Sequence, residues 1–559
     1  MACRYIVSII PTMQTQKPHS IKNQIHPETW VSTYKPNIWK YDHLLSLTTQ
    51  YSEKKCYQIE AKKLKEEVIS CTFSKSYSPV ALLELVDIID KFGLSNYFQV
   101  QTKVALEKTI MHMKSCSSKE EDLYATALCF RILREHGYHA SQDMTKKVSD
   151  IKTLFELLEG SYLSMDGENL LNDIRLFSTK NLSDVDTSFI TNNKEYLSNS
   201  LNYFPLAWSS RWYDVRRHIT MSGEQGNKTN PVLLNLAKLN FNIVQATHLK
   251  DLKDVIRWWI NLDIVEDLFF TRDRIVECFF FAGGIASEPQ HERIRKWVTK
   301  VFQLVLIIDD VFDIYGSLAD AQQFTRAIDK WDPNEVQGLP ECIQICFRAL
   351  YDTVEDISAE VDHQQKGCAP SAFPCLKQGW LNFCKAMLVE AKWYNEGHIP
   401  TLEEYLNNGW ISSTVPLLSD YVIYGLTNDK ITNETLDSSK NFQEIIYHSS
   451  VIFRLSNDQG TSTAELERGD VASSIICYMQ QENVSEEVAR EHIESIILNS
   501  WKKINYHFNT LSISHREIAK HIINVARMGH VMYQFGDGFG VQDGKIQDQI
   551  LINLIEPIT

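Results

Sequence analysis

Leu304-Val-Leu-Ile-Ile-Asp-Asp-Val-Phe-Asp-Ile-Tyr-Gly316 sets an unbroken aliphatic run directly before three carboxylates. The run reads as the end of a strongly apolar helix. On such a helix Asp309 and Asp313 stand at i and i+4 and share a face, with Cβ atoms about 5–6 Å apart. Like charges gathered beside an apolar wall repel each other and are costly to desolvate, and a divalent cation removes that penalty. Hard oxygen ligands without His or Cys point to Mg2+ or Mn2+ rather than zinc. Taken alone, the stretch also fits a solvated acidic helix end.

A second stretch, Arg454-Leu-Ser-Asn-Asp-Gln-Gly-Thr-Ser-Thr-Ala-Glu465, places Asn457, Thr461 and Glu465 at i, i+4 and i+8, one stripe down a helix. An amide carbonyl, a hydroxyl and a carboxylate make a less charged site than three acids. That suits a metal sharing its coordination with a substrate phosphate. The alternative for this stretch alone is a helix-capping turn built from Asn, Asp, Gly and Thr.

Outward from these two stretches the chain reads as helix almost everywhere from about residue 40. Ser118 and Glu121 have capping-box spacing ahead of Leu123, Ala127, Phe130 and Leu133, with Gly137 as the stop. Late in the chain Ala489, Ile493, Ile496, Ile497, Trp501 and Ile504 recur at mostly three- and four-residue intervals. Glycine (22) and proline (15) in 559 residues fall below the usual ~7% and ~5%, which favours long helices over turn-rich β architecture. The expected fold is all-α, in two helical domains. The polar stretch from Ser222 to Asn230 is the linker candidate, giving a helical domain over 28–235, a metal-binding domain over 236–559 and a disordered arm over 1–27. Segments 364–374 and 427–439 read as loops within the second domain.

Composition narrows the partners. With 56 Lys+Arg against 71 Asp+Glu the formal charge is −15, and nucleic acid, which needs a concentrated basic surface, is not expected as a partner. No apolar run reaches the ~18 residues of a membrane span, so no membrane association is expected either. The twelve cysteines include no CxxC pair, and Cys342 and Cys346, one helical turn apart, have no ligand cluster beside them. Buried free thiols in a reducing compartment are expected. Residues 1–27 hold no Asp or Glu but are short and broken by Pro11 and Pro18. A cytosolic protein is the expectation, with plastid targeting as the alternative.

Taken together, the two oxygen-rich stretches resemble the aspartate-rich motif and the NSE/DTE motif of plant terpene synthases. The resemblance covers most of the chain. It includes an RxR element, Thr271-Arg-Asp-Arg-Ile-Val-Glu-Cys278, and the flanks Leu236–Gln245, Arg257-Trp-Trp259, Val389–Tyr394 and Trp410-Ile-Ser-Ser413. It implies a carboxy-terminal helical bundle around an apolar pocket, behind an amino-terminal helical barrel-like domain. It also implies a monomer acting on a prenyl diphosphate with Mg2+, three ions per site, and Mn2+ as a substitute. Asp309 and Asp313 would hold metal on one side of the mouth and Asn457, Thr461 and Glu465 on the other, with Asp310 supporting. Arg272, Arg274 and Arg454 would grip the diphosphate, a use that suits the guanidinium fork. Aromatic faces would stabilise the carbocation left after ionisation. Phe281, where many relatives carry Trp, and Tyr533, Asp537 and Phe539 in the pocket-closing segment are the candidates.

The chain departs from the family pattern in three places. Relatives that cyclise a ten-carbon substrate often carry an Arg pair followed by eight residues and Trp; here Thr29-Trp30 stands for the pair while Trp39 remains. That implies an acyclic product. Gln459 replaces an aliphatic residue, an outward or supporting change. No DxDD string occurs in the first domain, which implies ionisation rather than protonation chemistry. The segments Tyr34–Lys40 and Gly397–Tyr405 look most like the subgroup with α-farnesene and β-ocimene synthases. The expectation is therefore (E,E)-α-farnesene from farnesyl diphosphate, the alternative (E)-β-ocimene or another acyclic monoterpene, such as myrcene or linalool, from geranyl diphosphate. A chain-elongating prenyltransferase, which would normally show a second DDxxD, and a non-catalytic helical scaffold are the readings outside the class.

Overall fold

Local signals start and stop the helices. Ser78 Oγ accepts from the Ala81 N–H ahead of a helix that begins at Pro79, and the Asn230 side chain accepts from the Val232 and Leu233 N–H groups ahead of Pro231. Full capping boxes join Ser317 to Asp320 and Thr401 to Glu404. The Leu123–Glu135 helix is followed by Gly137 at φ +75°, as the stop signal predicted. Its N-cap is Asp122, whose Oδ1 accepts from the Ala125 N–H at 3.2 Å.

The computed structural model describes residues 35–559 apart from 53–54, 74–76, 116–121, 141–149, 184–203, 225–229, 269, 365–370, 427–438, 469–471 and 543, and apart from the side chains of 113–115, 314, 439–441 and 463–468. The expected arm, the Thr29-Trp30 position, the Ser118/Glu121 box, residues 225–229 of the linker, most of the two loops and the Glu465 side chain lie outside the described residues. Among the described residues there is no β-strand, only a bridge between Gln534 and Gly536. The chain is all-α, in two helical domains.

The first domain is built from helices such as Lys55–Val68, Pro79–Lys91, Leu123–Glu135 and Ile151–Ser161. The long Pro231–Asn261 helix comes next in the chain, ahead of the helices of the second domain. The centre of that domain is formed by the Ser439–Arg468 helix, packed on Ile513–Tyr533 and on Glu486–Thr510, and by Val415–Leu426, which touches Glu292–Asp310, Ser439–Arg468 and Ile513–Tyr533. On Glu486–Thr510 the stripe Ala489, Ile493, Ile497, Trp501 and Ile504 is buried, the face its spacing predicted.

Candidate active site

The Ile275–Ile285 helix packs against Glu292–Asp310, and a short turn through Pro289–His291 reverses the chain between them. The residues just before the first helix therefore meet the last residues of the second, and Arg272 reaches the aspartates. Its backbone N–H donates to Asp310 Oδ2 at 2.8 Å, its Nε to the same oxygen at 3.3 Å, and its Nη2 to Asp309 Oδ2. Nη2 also lies 2.9 Å from Asp310 Oδ1, an ion-pair contact without hydrogen-bond geometry. Fully buried Gln303 locks the two segments, accepting from the Arg274 N–H at 3.0 Å and donating to the Arg272 carbonyl at 2.7 Å.

The three aspartates divide by exposure. Asp310 is 1% exposed, and burial, with help from Asp309 and against the pull of Arg272, pushes its carboxyl up to about 6. The Asp309 side chain keeps 33% of its exposure, and Asp313 is exposed. After Asp310 the backbone changes from α- to π-helical hydrogen bonding over Val311–Tyr315, closed by the Gly316 N–H donating to Val311 O at 2.7 Å. A Cβ at position 316 would stand 2.7 Å from that same oxygen, so the turn requires glycine. The expected i, i+4 pair thus sits astride a change of helix type, a feature frequent at functional sites.

The facing wall is the Ser439–Arg468 helix. Arg454 donates from Nη2 to Ser412 Oγ at 2.7 Å and lies 3.5 Å from Glu390 Oε1, while its Nε is buried without a hydrogen-bond partner. One turn on, Asn457 is half-buried, and Thr461 is buried with its hydroxyl donating to the Asn457 carbonyl at 2.9 Å. Asp458 between them points away, accepting from Tyr405 Oη and from the Ser474 N–H, each at 2.9 Å. Gln459 faces the neighbouring helix, where Arg490 donates to its Oε1 at 2.8 Å, in keeping with an outward position. Among the charges acting on half-buried Arg454 is Asp309. Phe453, beside Arg454, packs on Phe281 of the helix that follows Arg272 and Arg274, and Tyr533 packs on Phe453, so the two oxygen-rich segments border one candidate mouth.

Five aromatic rings meet between these segments. Phe281 packs 4.6 Å from Phe302 and 5.8 Å from Phe453 between ring centroids, Phe302 packs 4.8 Å from Phe539, and Tyr533 lies 5.7 Å from Phe453 and 6.0 Å from Phe539. The predicted Phe281, Tyr533 and Phe539 are brought together; Phe302 and Phe453 were not expected. Asp537 serves as a turn anchor, its Oδ1 accepting from the Phe539 and Gly540 N–H groups at 3.0 and 2.8 Å. Arg274, expected beside the diphosphate, holds this same segment. Its guanidinium donates to the carbonyls of Phe539 (2.9 Å), Asp273 (2.8 Å), Lys35 (3.2 Å) and Gly540 (3.5 Å). Here it is a clamp between both ends of the chain and the mouth.

Gly460 lets this segment lie directly on the metal-motif helix, since a Cβ there would stand 2.7 Å from Tyr533 O and 3.1 Å from Tyr533 Cβ. Alanine favours a helix by up to about 1 kcal/mol over glycine, yet overpacking against backbone costs about 1–3 kcal/mol. Gly460→Ala is therefore expected to lower the melting temperature and cut turnover about tenfold. A raised melting temperature with full activity would show that the segment yields freely.

Two family profiles match the chain: "Terpene synthase family, metal binding domain" over residues 260–503 and "Terpene synthase, N-terminal domain" over residues 38–203. The chain belongs to the terpene synthase family. It is 42% identical to an alpha-farnesene synthase of Ricinus communis over 94% of each chain. It is 41% identical to the (E,E)-alpha-farnesene synthase of Malus domestica, over 96% of this chain and 97% of that one. The crystal structure of isoprene synthase from grey poplar leaves (Populus x canescens), in complex with three Mg2+ ions and dimethylallyl-S-thiolodiphosphate, superposes with a TM-score of 0.84 at 32% identity, over 94% of this chain and 99% of that one. As a terpene synthase the protein is a lyase acting on a prenyl diphosphate. No described helix is long and apolar enough to cross a membrane.

Asp309, Asp313, Asn457 and Thr461 all offer oxygen, and the two carboxylates open to solvent; this donor set fits Mg2+. Gln303, Phe302 and Phe453 join the candidate site without a sequence signal of their own, while Glu390 and Ser412 lie in the flanks Val389–Tyr394 and Trp410–Ser413 but were not singled out. Each lies on a helix whose apolar pattern reports burial and not which neighbour it meets.

Proposed function

We propose that this terpene synthase forms (E,E)-α-farnesene from farnesyl diphosphate with Mg2+. What supports this reading is the combination of oxygen donors, Asp309 and Asp313 on one segment and Asn457 and Thr461 on another, with Arg272 paired to Asp309, Arg454 one turn from Asn457, and a ring cluster joining the two segments. Asp309 and Asp313 would hold metal on one wall, and Asn457, Thr461 and Glu465 on the other. When bound, Mg2+ supplies Lewis-acid stabilisation of the departing diphosphate. Mn2+, also a hard cation, would take the same donors.

The chain's own groups do the rest. Arg454, with a buried and unpartnered Nε, is built to donate to an anion entering the mouth. Arg272 neutralises Asp309 and Asp310 and keeps both carboxylates aimed. Asp310 positions Arg272 from behind. Arg274 and Asp537 hold the Tyr533–Phe539 segment over the rings and so exclude water, which would otherwise capture the cation. The faces of Phe281, Phe302, Phe453, Tyr533 and Phe539 stabilise positive charge through their quadrupoles without supplying a nucleophile. The acyclic product rests on Thr29-Trp30 standing where cyclising relatives carry an Arg pair, and the fifteen-carbon substrate on the likeness to the two farnesene synthases. In the same reading the chain divides near residue 235, acts as a monomer and works in the cytosol.

Purified protein incubated with Mg2+ and either farnesyl or geranyl diphosphate, with volatile products separated by gas chromatography, tests the proposal. α-Farnesene from farnesyl diphosphate is the expected main product. A mainly cyclic product would overturn the acyclic reading, and (E)-β-ocimene with no sesquiterpene would move the substrate to ten carbons.

A further inference from the structure

The turn that reverses the chain between the Arg-bearing and Asp-bearing helices carries a second set of ligand side chains. Glu288 and His291 flank this turn, and His521 reaches it from the Ile513–Tyr533 helix. One carboxylate oxygen and one nitrogen from each ring lie within 4.8 Å of one another. The two imidazoles meet edge to face with centroids 4.8 Å apart, and Glu288 Oε2 lies 3.3 Å from His291 Nδ1, which is buried without a hydrogen bond.

The surroundings already have the form of a second coordination shell. His521 Nδ1 stands 2.8 Å from the carbonyl of Ile285, which can only accept, so Nδ1 carries the proton and the Nε2 lone pair is left for a ligand. Burial holds His521 below the ordinary histidine range. The turn is rigidly anchored. Arg295, paired with Asp251 through Nε at 2.9 Å and Nη2 at 2.7 Å, donates to the carbonyls of Ala286 (2.7 Å), Glu288 (2.6 Å) and Pro289 (3.2 Å).

We propose that Glu288, His291 and His521 form a zinc site separate from the Mg2+ mouth. Two imidazoles and one carboxylate are a borderline donor set that selects Zn2+ over Mg2+, and three protein ligands leave a fourth position for water. The site lies at the far end of the eleven-residue Ile275–Ile285 helix from Arg274, about 16 Å away along the axis. Zinc there would pin the Ile513–Tyr533 helix, which leads into the closing segment, to the turn that sets the register of the arginines and aspartates. Its expected effect is on stability, by binding the folded state alone.

The test uses the full chain, stripped with chelator and returned to buffer containing excess Mg2+, then titrated with Zn2+ against a chromophoric competitor. One zinc per chain and a raised melting temperature are expected. His291→Ala and His521→Ala should each weaken binding about a hundredfold or more, while Asp309→Ala should leave it unchanged. X-ray absorption on the zinc-loaded unmodified protein should show two imidazoles and one carboxylate, a readout that holds even if a histidine variant misfolds. No zinc uptake in the presence of Mg2+, uptake lost in Asp309→Ala, or a first shell without imidazole would each overturn the proposal.

Discussion

Replacing Asp309 with alanine is expected to lower turnover about a thousandfold or more while the protein remains folded. Two features make the effect large on catalysis and small on the fold. Asp309 keeps 33% of its side-chain exposure, so its removal leaves little buried void. Arg272 retains Asp310, to which it donates from both its backbone N–H and Nε, so no charge is stranded. What is lost is a hard anionic ligand at the mouth. Metal stabilisation of a departing diphosphate amounts to several kcal/mol, and each 1.36 kcal/mol is tenfold in rate, so a loss of about 4 kcal/mol gives the expected factor. Steady-state turnover, read beside a circular-dichroism melt, checks both halves. Unchanged activity would end the metal assignment; a collapsed melt would mean that Asp309 is a structural partner of Arg272 first.

The parts of this site that were legible in the sequence share one property: their geometry is carried by a single helix. Asn457 and Thr461 follow from periodicity because a helix fixes i and i+4 without help from the rest of the chain, and Asp309 with Asp313 follows nearly as well. Even there the π-helical turn at Val311–Tyr315 was not legible, because it depends on Gly316 approaching Val311 O, a contact that no spacing rule encodes. Arg274 shows the reverse limit. Its motif was plain, yet its guanidinium is spent on carbonyls near both chain ends, partners hundreds of residues away. Phe302 and Phe453 read as ordinary core because an apolar stripe says only that a face is buried. Thr414 takes φ +69° between the Leu402–Ser412 and Val415–Leu426 helices, a conformation that a β-branched residue rarely adopts and that its local sequence does not announce. The all-α fold was legible throughout, because caps, breakers and stripes are local; how the helices pack around the mouth was legible only through resemblance.

Arg454→Lys is expected to reduce kcat/KM about a hundredfold while shifting the melting temperature little. The native guanidinium is already committed on one side: Nη2 donates to Ser412 Oγ at 2.7 Å and stands 3.5 Å from Glu390. The buried, unpartnered Nε is a standing cost of about 1–3 kcal/mol in the free protein, and such a donor is tolerated where a ligand anion meets it. Lysine keeps the positive charge beside Glu390, so the half-buried acid stays compensated, but its ammonium is a point charge that cannot face Ser412 and an incoming phosphate oxygen with a fixed fork. Alanine would instead remove the cation beside Glu390, leaving it with Asn408 and Ser412 as partners, and lower stability together with rate, which is why the lysine variant is the informative one. Inhibition by inorganic diphosphate in the presence of Mg2+ separates the two roles. A binding residue predicts that the lysine variant is inhibited only at much higher diphosphate concentration, whereas unchanged inhibition with a lowered melting temperature would make Arg454 a pillar for Glu390 and leave the diphosphate to Arg272.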